Sequence, residues 1–346
     1  MSHNPLAAEL RDAVTPRAVL LMVGVLLVQL GFLLSYVGAF HHPDAHRIPV
    51  AVAGPPRLAH QLDRLHGEPV QATVVRDEAA ARERILRREA QGAYVVNPQG
   101  TRDTLLVASA AGSSVTGAVR QVGERFASAQ GRQLRVVDVA PAGDADNGSL
   151  SSFYLVVGWL VGGYLAASML GVTAGARPAS RHRAGIRILA LLPYAALSGL
   201  GGAIIVDPAL GALTGHFAEL WGLGTLVVFM AGAVTVALQA LFGVLGIGLA
   251  VVIFVVLGNP SSGGAYQLHM IPPFWRDIGP WLPAGAGVSA VRNTVYFHGN
   301  ALTWPLGVLG VWAAAGVVLS LLFAREPDTR VPALRSGYGG PRDLRF

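Results

Sequence analysis

Apolar positions along the 346-residue chain gather into long uncharged runs, separated by segments of ordinary soluble make-up. A helix needs about 20 apolar residues to cross a hydrocarbon core about 30 Å thick. Ala18 to Phe40, Phe153 to Ala174, Ile188 to Val206 and Trp304 to Phe323 are each about that long. Leu220 to Leu257 holds 38 residues without a charge, close to two span lengths. It is expected to fold back at "QALFGVLG" (Gln239 to Gly246), where a glutamine and two glycines interrupt the apolar pattern. The count is therefore six transmembrane helices in an α-helical polytopic membrane protein.

Between the first two spans, residues 41–152 alternate differently. Ile48 to Gly54, Pro69 to Val75, Ala93 to Pro98, Asp103 to Ser109 and Leu134 to Ala140 are short β-rich runs, and helical patterns such as "PRLAHQLDRLHG" and "DEAAARERILRREAQG" separate several of them. The expected order is βαβαββαβ, an α/β (α+β) domain inserted between helices 1 and 2. The Gly, Asp and Ser-rich "PAGDADNGSLSS" reads as a flexible lead into the second span.

Composition agrees with this layout. The chain is 52% hydrophobic and only 13% charged, too apolar for a soluble protein of its length. It has no Lys, so all 26 residues of the Lys+Arg count are Arg, a bias that suggests a GC-rich bacterial genome. There is no Cys, which removes disulfides, thiolate metal sites and cysteine nucleophiles.

The arginines set the orientation. Arg11 and Arg17 precede the first span, Arg177, Arg181, Arg183 and Arg187 join the second to the third, and Arg325, Arg330, Arg335, Arg342 and Arg345 follow the sixth. With six spans these fall on one side, the cytoplasm, while Asp207 to Glu219 carries acids and no Arg. Both termini are expected to be cytoplasmic in a bacterial plasma membrane, with the inserted domain outside. Residues 1–17 form a cytoplasmic amphipathic segment, 18–40 the first span, 41–152 the extracytoplasmic domain, 153–323 the remaining bundle and 324–346 a cytoplasmic tail.

Catalytic signatures are missing. A phosphate-binding GxxxxGK[ST] loop is ruled out without lysine, and neither HExxH nor GxSxG occurs, so the chain is not expected to be an enzyme. The arginines form no aromatic-interleaved basic face, which argues against nucleic acid as a partner. His41, His42, His46, His60 and His66 show no closed ligand spacing; no metal and no cofactor are expected. The spans carry no ionisable group at their centres, which argues against autonomous proton coupling.

One stretch resists this simple reading. "VVLGNPSSGGAYQLHMIPPFWRDIGPWLPAG" (Val255 to Gly285) leaves an apolar run and then holds five prolines and almost no charge. Pro272, Pro273 and Pro283 fix bends, and Ile271, Phe274, Trp275, Trp281 and Leu282 are apolar enough for a membrane interface. Non-helical backbone at membrane depth is tolerated where protein buries it, so residues 258–302 read as a re-entrant hairpin or interfacial helix pair.

Six spans, a large domain after the first, a basic second-to-third loop and "GNPSSGG…PPFWRDIGPWLPAGAGVSAVRNTVYFHGN" before the last span resemble an ABC-2-type exporter permease. The similarity points to the phage-infection-protein-like (Pip/YhgE-like) branch in a short actinobacterial form. It implies a permease that moves an amphipathic or lipid-like substrate outward, as a homodimer or heterodimer in the lipid bilayer, energised by a separate ABC ATPase. It implies an outer gate at Asn259, Pro260, Ser261, Ser262, Pro272, Pro273, Trp275, Pro283 and Arg292, an ATPase-coupling loop at Arg177, Arg181, Arg183 and Arg187, and a surface helix over Leu6 to Val14. Gln29, Tyr36, Tyr164 and Gln239 are the candidates for a permeation path. The coupling loop has no acidic residue, where such loops commonly carry one. The alternative is a non-transporting receptor or scaffold whose outer domain binds envelope material or a protein partner.

Overall fold

The computed structural model describes residues 15–324. The surface helix expected over Leu6 to Val14, and all but the first residue of the tail at 324–346, lie outside them.

Among the described residues five helices are long and apolar enough to cross a membrane, the make-up of a membrane protein. They are α1 (Pro16–Phe40), α5 (Ser151–Ala174), α6 (Arg181–Ile204, continued by a wider turn to Ala209), α7 (Phe217–Phe242) and α11 (Thr303–Leu322). Helix α7 is the hub: α5, α6 and α11 all pack on it. Its most apolar window is 67% buried against 6% for α1, which stands at the edge of the bundle. Close approach rests on small residues. A side chain on Gly199 of α6 would come within 2.6 Å of the Thr225 backbone nitrogen and 2.8 Å of the Trp221 carbonyl in α7.

The 38-residue uncharged run does turn where its glycines suggested. Helix α7 ends at Phe242 and Gly243 takes φ 64°, a left-handed cap that suits glycine. The helical piece beyond this cap is shorter than expected. Helix α8 (Leu245–Val251) and its widened continuation (Val252–Leu257) make a 13-residue apolar helix, about 20 Å at 1.5 Å per residue. The run carries no charge because both its faces are packed or apolar, and charge alone cannot separate a full span from a half helix.

The inserted region is a five-stranded mixed sheet, β1 (Ile48–Ala53), β2 (Val70–Val75), β3 (Gly92–Val95), β4 (Arg102–Val107) and β5 (Gln133–Asp138), in the order β2-β1-β3-β4-β5. β1 is parallel to β2 and β3, β4 is antiparallel to β3, and β5 is parallel to β4. Helices α2 (Pro56–Asp63), α3 (Glu78–Leu86) and α4 (Ser113–Ala129) complete the βαβαββαβ order read from the sequence. Burial in β4 does not alternate: Asp103 and the consecutive Leu105, Leu106 and Val107 are all buried, as in a strand covered on both faces.

The buried acid of β4 is fully engaged. Asp103 accepts from Tyr94 Oη at 2.7 Å, Asn97 N at 2.9 Å and both Nε and Nη2 of Arg132 at 2.6 Å. These bonds tie the β3–β4 connection to the start of β5. Burial alone would raise the Asp103 carboxyl, but the Arg132 guanidinium, the Tyr94 hydroxyl and the Asn97 N–H outweigh it and hold the group below its usual range.

The "PAGDADNGSLSS" segment is not the flexible lead that its composition suggested. Asp146, Ser149 and Ser152 are buried, and Asp146 Oδ1 accepts from Ser151 N at 2.8 Å at the start of α5. Asp, Asn and Ser favour both flexible linkers and helix caps, so composition could not distinguish them.

Candidate functional site

The site develops where the short helix α8 runs out. Its continuation ends in a turn, Gly258 to Gly264, that is buried throughout. Buried backbone needs partners, and the turn supplies most of its own. Ser261 Oγ donates to Leu257 O at 2.6 Å, Ser262 Oγ donates to Asn259 O at 2.7 Å, and Gly264 N donates to Ser262 Oγ at 3.2 Å. Helix α1 is stitched on from the side: Ser35 Oγ donates to Val256 O, and Asn259 Nδ2 donates to Tyr36 Oη at 2.9 Å.

The chain then runs through α9 (Pro273–Ile278) into α10 (Pro283–Tyr296). Pro272 precedes α9 and Pro273 opens it, while Pro283 opens α10, positions where a missing N–H costs nothing. Phe274 and Trp281 are exposed and Trp275 is half-buried, so the aromatic residues line the surface of this segment. Its interior is α10 itself, where Ala284 to Val288 and Ala290 to Thr294 are buried, so the helix is enclosed nearly all round.

Arg292 lies within this enclosed helix, 3% exposed. Its Nη1 donates to Gly263 O at 3.0 Å and its Nη2 to Ser149 O at 3.2 Å, while Nε has no partner. One guanidinium therefore clamps the buried turn, helix α10 and the entry to α5 together. The segment's one acid pairs elsewhere: Arg276 Nε meets the neighbouring Asp277 Oδ1 at 3.2 Å, and Arg292 uses carbonyls. One turn along α10, Tyr296 Oη donates to Asp146 Oδ2 at 2.6 Å.

The same segment grips the sheet domain. Gln267 Oε1 accepts from Ser114 Oγ and from Val115 N at 3.1 Å, satisfying the first turn of α4. Gly112 leaves the space that the Gln267 amide fills. Asn300 Nδ2 donates to Leu86 O at 3.1 Å, and His46 N donates to His269 O at 3.0 Å. Phe297 and Met270 are part of the sheet domain's own apolar core, and the Arg88 guanidinium lies 4.3 Å over the Phe297 ring. Burial, followed by the charge of Arg292, pushes Arg88 down to about 9.

Of the residues that the sequence singled out here, Asn259, Pro260, Ser261 and Ser262 form the turn that Arg292 clamps, Pro283 opens the helix that carries Arg292, and Pro272, Pro273 and Trp275 belong to the short helix before it and its N-cap. Asp146, Tyr296, Gln267, Phe297 and Asn300 were missed.

The four coupling-loop arginines divide into two kinds. Arg187 Nη2 donates to Ala174 O at 2.8 Å and Gly175 O at 2.7 Å, and Arg177 Nη2 donates to Leu241 O at 3.3 Å. Both close the carbonyl end of a helix, where a cation is favoured. Arg181 and Arg183 are exposed at the start of α6.

The four path candidates do not converge. Tyr36 bonds Asn259, Tyr164 stacks on Phe254 with ring centroids 6.4 Å apart, and Gln29 lies on the exposed face of α1. Gln239 is fully buried against Gly171 with neither amide atom partnered. Among the described residues no group of three His, Asp or Glu side chains is placed to hold a metal ion, and His42 pairs with Asp44 at 3.0 Å.

No family model, curated protein or solved structure matches this chain.

Proposed function

We propose that the chain is the permease subunit of an ABC-2-type exporter, moving an amphipathic or lipid-like substrate outward at the expense of a separate ATPase. The observation that carries this reading is the half helix α8 ending in a buried, self-satisfied polar turn that Arg292 clamps to α10 and to the entry of α5. Interrupted helices with unwound backbone inside protein are a transporter device, because the unwound part moves without breaking a continuous helix. On this reading α8 and the turn after it make the fifth of six crossings. The sheet domain lies outside, both termini are cytoplasmic, and the Gly258 to Leu302 segment is the outer gate.

Energy enters from elsewhere, since no ionisable side chain lies at a span centre and no phosphate-binding loop exists. Arg181 and Arg183 remain exposed for a cytoplasmic partner. The functional unit is a homodimer or heterodimer, with the broad exposed surface of α1 facing lipid or a second subunit.

A receptor or scaffold reading draws on one observation: Arg177 and Arg187 are occupied at helix ends, which halves the set available for docking. Gentle affinity purification of the tagged protein from its native membrane separates the two readings. A stoichiometric ATPase that is lost in Arg181→Glu/Arg183→Glu, with assembly otherwise intact, supports the exporter. Recovery of self copies or envelope proteins without an ATPase supports the receptor.

A further inference from the structure

A titratable side chain lies in the seam between the Gly258 to Leu302 segment and the sheet domain. Beyond the buried turn, the chain meets the start of α4 through Gln267, makes the single helical turn Leu268–Met270 and enters α9. Gln267 N donates to Ser114 Oγ at 3.4 Å, and His46 N, just before β1, donates to His269 O at 3.0 Å. Met270 completes the attachment inside the sheet domain's core.

His269 is the histidine of this strap, and its Nδ1 is buried without a hydrogen bond. A neutral imidazole tolerates that, because the bare nitrogen is an acceptor and the proton sits on the other nitrogen. A protonated ring must donate from both, which puts an N–H at Nδ1 where nothing accepts it in this arrangement.

The elements packed on the turn add to the same bias. Helix α9 presents Arg276, whose Nε is paired with Asp277 at 3.2 Å, the first turn of α4 carries no charge, and the chain before β1 presents His46. Burial lowers the affinity of the His269 ring for a proton, an interaction with the His46 backbone opposes this, and the charges of Arg276 and His46 lower it further.

We propose that His269 is an acid-sensitive catch, whose protonation breaks the contacts to His46 and to the start of α4 and frees residues 265–272 from the sheet domain. The catch acts whether or not the chain transports anything. A freed ring takes up a proton more readily than the docked one. The attachment is therefore complete above the free value of about 6.5 and weakens as pH falls from there toward the lower docked value. Acid reaches this seam before it reaches the Asp103 carboxylate.

Hydrogen exchange of the full chain in detergent, corrected for intrinsic rates, reads the catch at the amides of His46, Gln267 and Val115, each a donor across the seam. Wild type is expected to exchange there at a constant rate from about pH 8 to about pH 7 and severalfold faster by about pH 5. The slope stays within about tenfold per pH unit, the limit for one coupled proton. His269→Gln, which cannot charge, is expected to remove the rise.

Arg276→Gln keeps the histidine and removes a repelling charge, which brings the docked value closer to the free one and is expected to shrink the rise. This variant decides the matter where His269→Gln loosens the seam at every pH. A wild type with no rise between about pH 7 and about pH 5, or an undiminished rise in Arg276→Gln, overturns the proposal. So does a rise that persists in His269→Gln and disappears in His46→Gln, which would assign the titration to His46.

Discussion

Tyr296 and Asp146 are 150 residues apart in the chain, and the phenol of one donates to the carboxylate of the other at 2.6 Å. The same carboxylate caps α5 through Ser151 N. The position of α10 is thereby tied to the point where the chain re-enters the bundle from the sheet domain. Asp146→Ala removes both bonds and is expected to cost about 2 kcal/mol locally, the sum of a helix cap and a charge-assisted hydrogen bond. Hydrogen exchange over Ser151 to Leu155 measures it: faster exchange there, with α7 unchanged, is the expected result.

Phe297 joins the two halves of the molecule. It is fully buried within the sheet domain's core although it comes directly after α10. Phe297→Ala is expected to cost about 3–5 kcal/mol by leaving a cavity. The loss falls on the attachment, and calorimetry of the detergent-solubilised chain is expected to resolve two transitions where wild type shows one.

Acid should loosen the sheet domain in a defined window. The Asp103 carboxyl is held below its usual range, so its contribution to stability is complete above the unfolded value of about 3.9 and disappears as pH falls through the lower folded value. Hydrogen exchange in β4 and β5 is expected to be flat from neutral pH to about pH 5 after correction for intrinsic rates, and to rise below about pH 4. Asp103→Asn should flatten that acid response and cost about 2–3 kcal/mol at neutral pH through the lost charge-assisted bonds.

Helix contact in the bundle is set by absence of side chains. Gly199→Leu places a branched side chain on the backbone of α7, where the first added carbon already stands 2.6 Å from Thr225 N. The expected result is a drop in melting temperature of several degrees, with Gly222→Leu, which has open space, as the neutral comparison.

Much of this architecture was legible in the sequence because it rests on periodicity. The short β-rich runs around Val50, Val74 and Leu106 are separated by helical patterns, and long runs such as Ala18 to Phe40 have no other stable home. The half helix at Leu245 to Leu257 was not legible, since length and apolar character were summed over a run that contained two unequal pieces. Asp146 was hidden by a linker-like composition. Tyr296 and Phe297 carry long-range contacts that no local pattern encodes. Arg292 stood out for the opposite reason: one of only three charges in an apolar segment needs partners, and its partners proved to be carbonyls.

The outer gate proposed at Gly258 to Leu302 can be tested directly, because the chain has no native cysteine. Ala284→Cys introduces one thiol on the buried face of α10, 1% exposed in this structure. Native membranes carrying this variant are treated from the outside with a membrane-impermeant maleimide, with and without ATP supplied to the cytoplasmic face. The expected result is slow labelling at rest and labelling accelerated at least tenfold by ATP, abolished when Arg181 and Arg183 are changed to Glu. Labelling that is equally slow with and without ATP would contradict an ATP-driven outer gate at this position.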